Sequence, residues 1–309
     1  MKARALLLCL LTATLCTAGE EEFRKKIEKA KEASDDKAHA ETIAEWRKAE
    51  PKSPEPLIAD ANRLFNESRS GIQLDTGKPE KGDLELKDPA TGEVKGRLKF
   101  GSDPNSKLIG EALAVLREAL TLAPHRLDIR GGMAFICQES GRFDEELKIL
   151  KEMTKHALAH PKEQRWKDNA ELDKPVEKFV PDKLHSYALY YYKKETPKDD
   201  KRFGAIAQFA ADSYPEDPVA WNDLALFRYL SQKDTKGASE CLEKAAKLAP
   251  EDHVVQFNLA QFYIELKTPA KAKAIYGHII KTSKDDDDIA SAKEKLEKLT
   301  KKENDPDSL

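Results

Sequence analysis

Glycine is scarce in this chain, 14 of 309 residues, and aromatic side chains make up only 7%. Abundant Ala, Leu, Lys and Glu with so little Gly point to an all-α protein, and a 35% share of charged residues gives it a heavily solvated surface. An excess of charge of one sign is also missing. The formal net charge is -3, with Lys and Glu intermixed and no basic stripe or face, which argues against a nucleic-acid binder. No Gly-rich phosphate loop is present, because Gly131-Gly132 lies within a helical pattern and lacks the Lys-Ser/Thr of a P-loop. No Gly-x-Ser-x-Gly elbow occurs either. His156 and His160 stand i,i+4 apart, but HALAH lacks the glutamate of the HExxH zinc proteases and reads as a solvated helix end. Acidic residues abound, and without a pocket no pair of them specifies catalysis. The expectation is a non-enzyme with no catalytic, cofactor or metal residues to assign.

Long apolar runs are absent beyond the N-terminus. There, MKAR supplies a positive start, ALLLCLLTATL a short apolar run, and Cys16-Thr17-Ala18 small residues before GEEEF. This is the arrangement of a secretory signal peptide, and its apolar run is too short to anchor the chain across a bilayer. Cleavage is expected after Ala18, with Gly19 the second position, taking the net charge from -3 to about -5. Leu15 beside Cys16 disfavours a lipoprotein signal, which wants a small residue there. The mature protein is expected to be periplasmic or secreted, without a membrane span. Of the four cysteines, Cys9 and Cys16 leave with the signal. Cys137 and Cys241 lie far apart, each inside a helical pattern, and read as small buried hydrophobes rather than a disulfide or a nucleophile.

What is present is repetition. GEALAVLREALTLAP, closing at Pro124, and KGASECLEKAAKLAP, closing at Pro250, place Ala112, Leu116 and Ala119 at the same distances from the proline as Ala238, Leu242 and Ala245. Around the second copy, Trp221, Leu224-Ala225, Ala238, Leu242, Ala245 and Pro250 form one unit, and Leu259-Ala260, Tyr263, Ala272 and Tyr276 form the next. Leu224-Ala225 and Leu259-Ala260 are 35 positions apart. Each unit reads as two amphipathic helices, with small Ala positions letting them approach. The pattern resembles the tetratricopeptide repeat: a bulky residue, Leu-Gly/Ala, Tyr, Ala, Phe/Tyr, Ala and Pro within about 34 residues. Arg228 departs from it where an aromatic is preferred, and Glu146 stands in a weaker copy where a small residue is usual. About six helix pairs are expected, forming an α-solenoid.

The closing prolines show where the repeat is interrupted. Pro215 and Pro250 are 35 residues apart, but Pro124 and Pro215 are 91 apart and Pro51 and Pro124 are 73 apart, so two inserts are required. One falls in HPKEQRWKDNAELDKPVEKFVPDK, whose residues 166–180 were candidates to cover part of a groove. The other, 67–106, alternates around Leu84 and Leu86 and again around Val94, Leu98 and Phe100, with the turn DPATG between. It predicts a small β-hairpin whose apolar face docks on the helices or on a partner. Asn66-Glu67-Ser68 is a glycosylation sequon. Near the C-terminus, SKDDDD caps a mostly polar helix that would close the stack. The expected divisions are a signal peptide (1–18), a helix pair (19–51), a pair carrying the hairpin insert (52–124), and a pair with the loop insert (125–181). Three repeats (182–284) and a capping helix with a polar tail (285–309) follow.

The resemblance implies a concave groove lined by the first helix of each pair, and a scaffold or adaptor that binds a protein or peptide there. Ligand-facing positions are those that the packing signature leaves unused: Phe65, Phe135, Leu189, Tyr192, Asn222, Leu226, Tyr229, Phe257, Gln261 and Ile264. Self-assembly through the hairpin insert is the alternative reading. An enzyme with its site between the inserts and the groove is the third.

Overall fold

The computed structural model describes residues 19–69, 72–75, 84–89, 91–100 and 106–304. The expected signal peptide and the last five residues of the polar tail lie outside them. The described chain opens with helix α1 over residues 19–32. It continues with α2 (Asp36–Ala49) and α3 (Glu55–Arg69), then three strands, β1 (Ile72–Asp75), β2 (Leu84–Lys87) and β3 (Val94–Phe100). Helices α4 (Lys107–Leu122), α5 (Leu127–Glu139), α6 (Phe143–Ala159), α7 (Val176–Tyr192) and α8 (Pro197–Ser213) follow. The run ends with α9 (Pro218–Leu230), α10 (Thr235–Leu248), α11 (His253–Glu265), α12 (Pro269–Thr282) and α13 (Asp286–Asn304). The chain forms two compact units. The first comprises residues 1–156 and 163–171, the second residues 157–162 and 172–309.

Local chemistry explains the helix boundaries. Asp217, Asp234 and Asp252 precede α9, α10 and α11, and each side chain accepts a hydrogen bond from a first-turn N–H, those of Ala220, Gly237 and Val255. At the other end, Glu50, Ala123, Tyr214 and Ala249 each stand immediately before a proline. The following pyrrolidine ring drives these residues out of the helical region, to φ near -130° and ψ near 65–70°. Each still donates its N–H to the carbonyl four residues back, so the helix ends with that donor satisfied.

Packing follows the repeated positions. In the first unit α2 packs on α3, α3 on α4, and α4 on α5. In the second, α7 through α13 pack in sequence, each on the next. Ala112, Leu116 and Ala119 are at most 3% exposed, and so are their counterparts Ala238, Leu242 and Ala245. Small residues at these positions let the backbones approach, and the leucine fills the space between. Trp46 and Tyr276 are also fully buried. Each unit is thus a stack of antiparallel helix pairs of the α-solenoid kind. Cys137 and Cys241 are free thiols inside this packing. Burial pushes Cys137 up to about 12 and also raises Cys241, so neither forms a thiolate at neutral pH.

The insert between α3 and α4 holds the expected β2–β3 hairpin, and adds a strand that the alternation did not reveal. The sheet order is β1-β3-β2, antiparallel throughout, with Ile72 opposite Phe100 and Leu84 opposite Leu98. The four residues IQLD are too few to establish a period of two. Leu84, Leu86 and Val94 are exposed, so these three apolar residues are not docked on the helices.

The second insert is shorter in loop than expected. Residues 176–180 are the first turn of α7, which runs through Pro181. Val176, Phe179 and Val180 are buried there rather than draped over a groove. The preceding loop is pinned within the first unit by a two-way backbone exchange, Leu127 N–H to Arg165 O and Arg165 N–H to His125 O, both 2.9 Å. His156 departs from the solvated helix end expected of it, because its Nε2 lies 3.3 Å from His125 Nδ1. At the C-terminal end Asp285 caps α13 as anticipated, accepting from the N–H groups of Asp287 and Asp288.

Candidate functional site

Each unit has a hollow lined by its helices, and the chemistry of the two differs. The hollow of the first unit is a cleft of about 530 Å³ edged by residues of α1, α2, α3 and α5. Its floor is a chain of alternating charges. Glu55, at the start of α3, accepts from Arg126 Nη1 at 2.6 Å through one oxygen and from Arg24 Nη2 at 3.1 Å through the other. Arg126 donates both Nε and Nη2 to Asp128, each at 2.7 Å, in a bidentate pair. Arg24 also meets Glu20 and Asp168 and lies over the Trp46 ring. Burial disfavours the charge on Arg126, but hydrogen bonds to Asp128 and Glu55 outweigh it and hold its pKa above the ordinary value. Glu20, Glu55 and Asp168 approach one another closely enough to hold a metal ion. The guanidinium of Arg24 pairs with all three of these carboxylates.

The hollow of the second unit is smaller, about 250 Å³, and mostly apolar. Asn222, Ala225, Leu226, Tyr229 and Leu230 form one wall on α9, at the i, i+3, i+4, i+7 and i+8 spacing of a single helix face. Asn258, Gln261, Phe262 and Glu265 form the facing wall on α11, at i, i+3, i+4 and i+7. Every member of the second set stands 36 positions after a member of the first. Tyr192 of α7 and Leu242 of α10 complete the lining. The walls are joined at the rim: Tyr229 OH donates to Glu265 Oε1 at 3.0 Å, and the Tyr229 and Phe262 rings lie 4.6 Å apart. That hydrogen bond raises the Tyr229 pKa. Deeper in, Asn222 Oδ1 is buried with no hydrogen-bond partner in the protein. A hollow of this size accommodates a side chain or two, and lies below the range of sites that enclose whole small-molecule ligands.

Five of the ten residues assigned from the sequence meet here: Tyr192, Asn222, Leu226, Tyr229 and Gln261. Phe257 and Ile264 sit on α11 but outside the lining, the Phe257 ring lying 6.0 Å from Tyr276. Leu189 is half-buried on α7 and outside it too. In the first unit, Phe65 is 5% exposed and edge-packed on Phe135, so it belongs to the core; Phe135 is 45% exposed and lines neither hollow. Asn258, Phe262 and Glu265 went unassigned, although their spacing from Gln261 marks the same helix face. Leu242 was assigned to packing alone.

A family model described as tetratricopeptide repeat matches residues 107–163 and 229–296. The matched segments fall in both units. No curated protein matches it. Among solved structures, it is similar to YrrB, a TPR protein with an unusual peptide-binding site. Identity is 13%, the match covers 82% of this chain and 97% of that one, and the TM-score is 0.39. It is similar to the assembly chaperone of RpL4, Acl4, at 14% identity over 93% and 98% of the two chains, TM-score 0.40. A tetratricopeptide repeat protein from Parabacteroides merdae matches at 12% identity over 93% and 89%, TM-score 0.36.

Proposed function

We propose, from the match of segments in both units to tetratricopeptide repeats, that this chain is an interaction scaffold holding a segment of another polypeptide at the hollow between α9 and α11. The observation that carries this reading is the pair of facing side-chain stripes on α9 and α11, which leave a side-chain-sized apolar space rimmed by polar groups. A solvated helix face would be polar at Leu226, Tyr229 and Phe262. Affinity capture from the native extract tests it. A Leu226→Ala, Tyr229→Ala double variant with an unchanged circular dichroism spectrum should lose the partner retained by the parent protein. Equal capture by both proteins rejects the site.

The protein is proposed to act outside the cytoplasm, as the charged and apolar segments before Gly19 suggest. N-terminal sequencing of the mature protein from its native source should begin at Gly19 or Glu20; a chain retaining Met1 rejects export. Self-assembly is a second reading, favoured by the exposure of Leu84, Leu86 and Val94 on the sheet. It requires oligomers that form with rising concentration and are lost in a Leu84→Lys, Leu86→Lys variant. A monomer at every concentration rejects it.

A further inference from the structure

The rim of the α9–α11 hollow specifies more than an apolar occupant. Among the described residues that line it there is no lysine, arginine or histidine, and the one ionisable carboxylate is Glu265. Glu265 Oε1 accepts from both Tyr229 OH and Gln261 Nε2, which orients the carboxylate at the mouth. An acidic segment would meet Glu265 with no compensating cation in the lining, a repulsion that selects against it.

We propose that the hollow takes an apolar side chain from a polypeptide segment that carries lysine or arginine directly beside that residue. The apolar side chain enters between Leu226 and Phe262, and the neighbouring cation pairs with Glu265 at the mouth. This rests on the reading of the hollow as the partner site, and adds the charge of the partner to it.

A random dodecapeptide phage library selected on the whole mature protein separates the two statements. The expected consensus is an aliphatic or aromatic residue flanked by Lys or Arg. A synthetic consensus peptide, followed by fluorescence anisotropy, should bind roughly tenfold more weakly to Glu265→Gln and weaken as salt is added. Replacing its basic residues with Glu should weaken binding to the parent protein further. On Glu265→Gln, that replacement should matter much less. Peptides that enrich equally on the Leu226→Ala, Tyr229→Ala variant, or a library that yields none, overturn the site and the proposal together. Peptides that need Leu226 and Tyr229 but are acid-flanked, or bind Glu265→Gln undiminished, overturn the charge selectivity and leave the site standing.

Discussion

Arg126 shows how much one side chain can carry. It is 3% exposed and holds Glu55 and Asp128 at once, joining the start of α3 to the start of α5. Arg126→Met should destabilise the protein by about 3 kcal/mol in chemical denaturation, since it leaves the buried Glu55 short of a partner. Arg126→Lys should recover only part, because an ammonium cannot reproduce the fork. A second residue-scale prediction concerns His185, whose Nδ1 lies 2.7 Å from Asp223 Oδ2 across α7 and α9. The hydrogen bond to Asp223 raises the His185 pKa above 6.5, although burial opposes it, and Asp182 and Asp217 add to the rise. Burial meanwhile lifts the carboxyl groups of Asp223 and Asp217. Below pH 6.5, while Asp223 stays ionised, the folded and unfolded chains both carry the imidazolium and the pair's stabilisation is present. As pH rises through the higher folded-state value, that stabilisation is lost. Urea melts between pH 6 and pH 9 should show this decline, and His185→Gln should remove most of it. Neither pairing is legible in sequence, since each joins residues whose proximity depends on how the helices stack. The same limit explains Phe65: leaving a position out of the repeat signature does not say which neighbouring layer covers it.

At the scale of elements, helix contact depends on a few small residues. Gly204 of α8 faces the Phe227 ring of α9 so closely that a β-carbon added there would sit 2.3 Å from it. Gly204→Ala should cost about 1–3 kcal/mol, read as a shift in denaturation midpoint, and Phe227→Leu should relieve it in the double variant. The sequence did disclose the helix pairs, their closing prolines and the β2–β3 hairpin. Each of those rests on local chemistry: a cap, a pyrrolidine ring, or an alternation long enough to count. The start of α7 was less legible, because Pro181 in its second turn reads as a helix breaker. In the folded chain Val176, Phe179 and Val180 bury apolar surface and hold that turn in place.

Across the whole molecule, each unit gains stability from neighbour-to-neighbour packing, so the end of a stack matters more than its charge-rich composition suggests. Helix α13 covers α12 with Ala292 fully buried, and Asp288 reaches back to His253 of α11 at 2.7 Å. Truncation before Asp286 should lower the melting temperature by roughly 5 °C and raise binding of a hydrophobic dye. Strand β1 carries a different consequence. Because Ile72 pairs with Phe100, the 27 residues between them begin and end at one spot. The sheet works as a clasp, and α3 and α4 meet as though only a short linker joined them. Changes of length between β1 and β2 should therefore pass unnoticed by the helices. A Gln73→Pro, Leu74→Pro double variant, which removes whichever of the two N–H groups faces β3 and so opens the clasp, should cost about 1 kcal/mol in loop-closure entropy and slow refolding of the first unit, because α3 and α4 must then find each other across a long free chain.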